Sequence, residues 1–149
     1  MKGKRGFAVV GEWAGKNIHI PHRKTAMSAG YDIESAVDED VLPGAIKIIP
    51  TGLKAYMEAD EYLAVYIRSS IAIKQGVMLA NGTGIIDADY FDNEDNEGHI
   101  MCALYNASNH IFHISKGDRI AQGIFLKYLV ADHDVAGGKR VGGIGSTGV

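Results

Sequence analysis

The chain alternates short apolar runs with glycine and charged residues, and almost nowhere does an apolar stripe recur at helical spacing. Phe7–Val10, Ala45–Ile49, Leu53–Met57, Tyr62–Ile67, Val77–Leu79, Gly84–Ile86, Ile100–Tyr105 and Ile120–Leu129 are each about as long as a strand and rich in Val, Ile and Tyr. They predict an all-β domain, a β-barrel or jelly roll. One short helix is expected over Ser69–Gln75, with a hydroxyl capping its first turn and Gly76 ending it.

Composition sharpens this picture. A chain of 149 residues, 46% hydrophobic and 22% charged, suits one folded domain with a real interior. Its 19 glycines serve as punctuation between strands. A net charge of −3 supplies no field to attract nucleic-acid phosphates, so a general nucleic-acid binder is disfavoured. The one cysteine, Cys102, sits in the apolar run Ile100–Leu104 and reads as a small core residue in a reducing compartment. The start of the chain has no apolar stretch of leader length and no segment approaches a membrane span, so a cytoplasmic protein is expected. The last thirteen residues, GGKRVGGIGSTGV, hold six glycines and little that could enter a core. They divide the chain into a barrel over 1–136 and a flexible Gly-rich arm over 137–149 that orders only against compensating contacts.

Several segments carry candidate chemistry. GGIGSTG could turn backbone N–H groups toward an anion, with Lys139 and Arg140 adding charge, although it lacks the lysine and helix of a Walker loop. Arg68, Ser69 and Ser70 end one strand and open the helix, so a guanidinium, two hydroxyls and backbone N–H groups converge there. Asp87 follows Gly84-Ile85-Ile86 at the end of a strand, where its orientation can be controlled. It opens a run of six carboxylates within eleven residues, from Asp87 to Glu97, that otherwise reads as a solvated hairpin and misses the calcium-loop pattern. Lys116-Gly117-Asp118-Arg119 reads as a turn. The histidines form no metal set: His110 and His113, three apart, fall on opposite faces of a strand.

In order and spacing these segments resemble the five motifs of the trimeric deoxyuridine triphosphatases: AGYDIESA at 29–36, RSSIAIKQG at 68–76, GIIDADY at 84–90, KGDRIAQGIF at 116–125 and RVGGIGSTG at 140–148. The resemblance implies a jelly-roll homotrimer with active sites at subunit interfaces, converting dUTP to dUMP and pyrophosphate with Mg²⁺, the arm closing over the triphosphate. By position it implies that Asp87 activates the attacking water, and that Asp32 holds waters around an Mg²⁺ bound chiefly by substrate phosphates. Arg68, Ser69, Ser70 and Gln122 would contact phosphates, and Arg140, Gly145, Ser146 and Thr147 the γ end. Asn81, Gly84 and Ile86 would lie along a hairpin matching the edge of uracil, with Tyr90 under the deoxyribose. No nucleic-acid or membrane partner is implied.

Two departures stand out. Ile144 occupies the place where the family usually has a Phe that stacks on the base, and Phe91, next to Tyr90, is expected to take over that aromatic role. FDNEDNEGH also lengthens the hairpin after Tyr90, and so many carboxylates beside a polyphosphate place it at the rim. A dCTP deaminase of the same fold is the nearest rival, but it needs a catalytic Glu around the Asp87–Tyr90 motif. A regulatory nucleotide-sensing module on this fold is the other.

Overall fold

The computed structural model describes residues 3–144. Among these described residues eleven strands form: β1 Gly6–Val9, β2 Tyr31–Glu34, β3 Glu39–Val41, β4 Ile46–Pro50, β5 Leu53–Tyr56, β6 Glu61–Ile67, β7 Val77–Leu79, β8 Gly84–Asp87, β9 Met101–Asn106, β10 Phe112–Ile114 and β11 Arg119–Lys127. All eight expected strands are present, and β2, β3 and β10 join them. The strands build four antiparallel sheets, β2-β11-β6-β8, β4-β9-β7, β1-β5 and β10-β3. Their inner faces enclose one core in which Ile33, Ile49, Leu63, Leu104 and Ile120 are fully buried. Burying each such side chain contributes about 1.5–3 kcal/mol before entropy is counted.

The expected helix is a five-residue π-type turn, Ile71–Gln75. Ser70 makes no side-chain cap bond, a correction to the expected hydroxyl cap, and the turn ends instead on Gly76 at φ 66°, whose N–H donates to the Ile71 carbonyl. The segment 80–83 is a second correction. It is no hairpin, because β7 pairs with β9 while β8 pairs with β6, so the turn carries the chain from one sheet to another. Gly82 at φ +74° allows it, and the Gly82 N–H donates to the Leu79 carbonyl.

The site is positioned by the sheet β2-β11-β6-β8. Asp87 ends β8 opposite Tyr62, near the start of β6, whereas Gln122 of β11 stands opposite Tyr66 at the other end of β6 and opposite Asp32 of β2. Among the described residues no helix is long and apolar enough to cross a membrane. Beyond Lys127 the chain adds no further described strand, and residues 131–139 lie exposed before the chain returns to the barrel at Arg140.

Candidate active site

A cavity of about 460 Å³ opens beside β8. Its wall carries Asn81, Gly84, Ile86, Asp87, Tyr90 and Arg140, six residues singled out from the sequence, with Ile48, Cys102 and Ile144 among the apolar remainder. Gly84 stands opposite Val65, and a Cβ there would come 3.1 Å from the Val65 Cβ, so the wall passes close to β6. Tyr90 is buried; its hydroxyl donates to the His99 carbonyl at 2.7 Å and accepts from Asn96 at 2.8 Å. Burial holds the Tyr90 phenol above its ordinary pKa, so it stays a neutral donor. Burial likewise pushes the Cys102 thiol up to about 12, which leaves this cysteine an inert part of the wall.

The arm meets this cavity on the same chain. Arg140 donates from Nη2 to Asp87 Oδ2 at 2.7 Å, from Nε to Asp89 Oδ1 at 2.7 Å and from Nη1 to the Gly142 carbonyl at 2.9 Å. The Asp95 N–H donates to the Val141 carbonyl at 3.2 Å. A Cβ on Gly143 would fall 2.6 Å from the Tyr90 ring, so only glycine lets the chain pass there. Gly145, Ser146 and Thr147, expected to bind the γ end, lie outside the described residues.

A second cluster lies elsewhere on the same sheet. Asp32 sits between two guanidiniums, 3.8 Å from Arg68 Nε and 3.4 Å from Arg119 Nη1, with Gln122 opposite it across the ladder. Gln122 packs against Gly30 so closely that a Cβ on Gly30 would collide with its amide. Arg68, Ser70, Lys74 and Arg119 line an open groove, and Ser69 is exposed at its start. The groove and the Asp87 cavity share no lining residue. With strands about 4.8 Å apart and about 3.3 Å per residue, the backbones of Asp87 and Gln122 lie about 16 Å apart. One chain therefore gathers the expected residues into two separate half-sites.

Phe91 departs from expectation. Its ring packs edge-on against Tyr56, at 5.9 Å between centroids, beneath the Lys54 ammonium at 4.9 Å, and it does not line the Asp87 cavity. Ile144 lines that cavity instead. The correction has a plain cause: Tyr56 and Lys54 of β5 offer this ring an aromatic edge and a cation, contacts that a side chain next to Tyr90 reaches more readily than the cavity behind it.

The acidic loop after Phe91 is built rather than loose. Lys54 pairs with Asp92 and, at 2.7 Å, with Glu97, and Glu97 also accepts the Gly11 N–H at 2.9 Å. Those bonds hold the Glu97 carboxyl below the usual carboxylate range and, despite partial desolvation, raise the Lys54 ammonium above its own. Asn93 is the hub, accepting from the N–H groups of Asp95 and Asn96 and donating to the Tyr90 carbonyl. Much of the charge expected to repel a polyphosphate is thus already paired. Asp89, Lys54, Asn93 and Asn96 were missed as site residues in the sequence; the Asn-rich spacing was the one available signal for the loop's turns.

Among the described residues, no three His, Cys, Asp or Glu side chains converge as metal ligands. Asp32, one carboxylate already facing two guanidiniums, cannot hold a metal ion by itself and could meet only a cation that brings most of its own ligands, through water.

Comparison with known proteins places this geometry. The family model for dUTPase matches residues 16–148. The deoxyuridine 5'-triphosphate nucleotidohydrolase of Lactococcus lactis is 51% identical over 146 residues, 97% of each chain, and that of Desulfitobacterium hafniense is 38% identical over 87% of each. The crystal structure of dUTPase from Streptococcus mutans superposes with a TM-score of 0.80 at 39% identity, covering 85% of this chain and 98% of that one. A dUTPase of Staphylococcus aureus phage phi11, which coordinates a structural Mg(II) ion, shares the fold at a TM-score of 0.73 and 18% identity. With the family model spanning most of its length and full-length relatives above the level at which descent is secure, the chain belongs to the dUTPase family.

Proposed function

We propose that the protein hydrolyses dUTP to dUMP and pyrophosphate. The observation that carries this reading is the gathering of Asn81, Gly84, Ile86, Asp87 and Tyr90 around one cavity in a chain 51% identical to a deoxyuridine triphosphate nucleotidohydrolase. Asp87 ends a strand with half its side chain exposed, so a carboxylate oxygen can accept a proton from a water lodged at the cavity mouth. The water oxygen bonds to the α-phosphorus, the bond to the bridging oxygen breaks, pyrophosphate leaves and Asp87 takes the proton. Arg68, Ser69, Ser70 and Gln122 bind the phosphates and oppose the charge that develops on them. Asp32 would hold Mg²⁺ through water, and the ion, when bound, would supply further neutralisation of the phosphate charge.

Selectivity comes from the turn and strand at 81–86. Backbone groups there meet the edge of the base, and Val65 behind Gly84 leaves that wall no slack. A cytosine would leave a buried polar group unpaired, at a cost of about 1–3 kcal/mol. The Tyr90 ring, fixed by its hydroxyl bonds, packs under the sugar and excludes a 2'-hydroxyl.

A complete site requires more than one copy. Asp87 and Gln122 cannot both reach one α-phosphate across about 16 Å of sheet, so the cavity of one copy works with the groove of another. The outer face of β4 and β7, with its neighbour β8, supports such an assembly: Ile46, Ile48, Met78 and Ile85 are about half exposed, and Ile48 and Ile85 also line the cavity. We assign it as the contact surface of a homotrimer. Residues 1–136 form the barrel and 137–149 the arm that covers the bound nucleotide, and the protein works in the cytoplasm.

Incubation with dUTP, dCTP, dTTP and UTP in Mg²⁺, followed by assay of pyrophosphate and ammonia, tests the reading. Pyrophosphate from dUTP alone is expected. Ammonia from dCTP would make the protein a deaminase, and nucleotide binding without turnover would make it a sensor.

A further inference from the structure

Every side-chain nitrogen of Arg140 is engaged among the described residues, and its side chain is only 15% exposed although it follows a stretch of exposed chain. Two of its bonds go to different carboxylates. Nη2 faces Asp87, the residue that must receive a proton, while Nε faces Asp89, which does not line the cavity and has no part in the chemistry above. A guanidinium is a rigid planar fork, so a bond at the Nε edge confines Nη2 to a short arc about that contact.

We propose that Asp89 is a positioning residue for the arm. It holds the Nε edge of Arg140 while the fork pivots about that contact, so that Nη2 rests on Asp87 in the free protein and turns to a phosphate oxygen when nucleotide enters. The exchange is favoured because the incoming phosphates bear more charge than the one carboxylate they replace. It also leaves Asp87 free of its cationic partner at the moment water must be activated. The seat is a fitted one: the Asp95 N–H holds the Val141 carbonyl, and Gly142 and Gly143 pass against Asp95 and Tyr90 where no side chain fits. The loop 91–98, held by Lys54 and Asn93, is then the other wall of the latch rather than a solvated excursion. The phosphate half of this inference rests on the proposed dUTP hydrolysis; the resting contact does not.

The test uses the full-length protein and Asp89→Ala, with Asp89→Asn as the conservative variant that keeps an acceptor and removes the charge. Without nucleotide, tryptic cleavage after Arg140, followed by mass spectrometry, should rise about fivefold or more in Asp89→Ala, because trypsin needs the guanidinium that Asp89 holds. Asp89→Asn should fall between it and the wild type. With dUTP, KM should rise about fivefold in Asp89→Ala and recover in part in Asp89→Asn, with kcat within about twofold of wild type. Unchanged cleavage in Asp89→Ala overturns the inference, as does a fall in kcat comparable to loss of Asp87, which would put Asp89 in the chemistry. Asp89 is mostly exposed, so both variants should melt as the wild type does, and loss of cooperative melting in both would show a structural role and also overturn it. Absence of dUTP turnover in the wild type would sink the proposed function yet leave the protease result to decide the resting contact.

Discussion

The two half-sites are built on opposite physical terms. The cavity beside Asp87 is walled by strands, closed on one side by the arm, and lined mostly by apolar side chains with a few fixed polar groups. The groove at Arg68 is open, and its charged members, Arg68, Lys74, Asp118 and Arg119, reach into solvent. A wall of that kind selects by shape and by the penalty for an unpaired polar group, whereas an open cationic groove selects by charge alone. The division suits a molecule with a planar base at one end and phosphates at the other, and it leaves discrimination among bases to the cavity half.

The largest effect should follow from removing the one group at which the halves must meet. Asp87→Asn keeps the size of the side chain but cannot accept the proton, so kcat for dUTP should fall at least about 10²-fold while nucleotide binding persists. Steady-state kinetics beside calorimetric titration of a non-hydrolysable analogue measures both. A kcat within a few-fold of wild type would detach the cavity from the chemistry.

Deleting residues 138–149 separates closure from folding. Among the described residues the core cluster draws on nothing beyond Phe125, so the melting temperature should stay within a few degrees, while kcat/KM drops about tenfold or more as Arg140 and the rest of the arm leave the phosphates unattended. An unfolded truncation would make the arm part of the barrel.

Whether the halves come from different copies is open to a direct mixing test. Asp87→Asn and Gln122→Ala are each expected to be nearly inactive, one through its cavity and the other through its groove. Refolding them together in equal amounts should restore roughly a quarter of wild-type activity, the chance that a site draws an intact cavity from one copy and an intact groove from another. A site contained in one chain would stay dead in the mixture.

The sequence made the barrel visible wherever strands are buried on one face and end in glycine, as in GIID and in the run from Ile120. It hid β2, where Ile33 alone is fully buried among Tyr31, Asp32 and Glu34, because residues that serve a site break the alternation that marks a strand. Asp87 was legible from its place at a strand end. Asp89 was not, since within a run of carboxylates nothing local distinguishes the one that meets an arginine 51 residues away. Phe91 shows the converse failure: an aromatic beside a site residue suits packing as well as stacking, and only the position of Tyr56 and Lys54 decides.

The smallest predicted effect concerns how the cavity half stays rigid. His99 is buried against Trp13, its Nε2 accepts the Gly52 N–H at 2.9 Å, and its carbonyl accepts the Tyr90 hydroxyl, so one residue ties the cavity wall to the turn that leads into β5. That acceptor role requires a neutral ring, and burial lowers the His99 pKa even though Glu12 and Glu97 pull it upward. Because the folded value lies below the unfolded one near 6.5, the unfolded chain binds the proton first. The stability His99 contributes is therefore complete above about pH 6.5 and is lost as pH falls through the lowered value. Glu61 and Glu97, whose carboxyls are held below 4.5, lose theirs only at more acid pH, so the two windows separate. Urea unfolding at fixed protein concentration should show lower stability at pH 5.5 than at pH 7 in the wild type, and a shallower fall over that range in His99→Gln, which retains an acceptor without a titrating proton. An equal slope in both proteins would mean that another group carries the acid sensitivity and that the cavity wall does not depend on the charge state of His99.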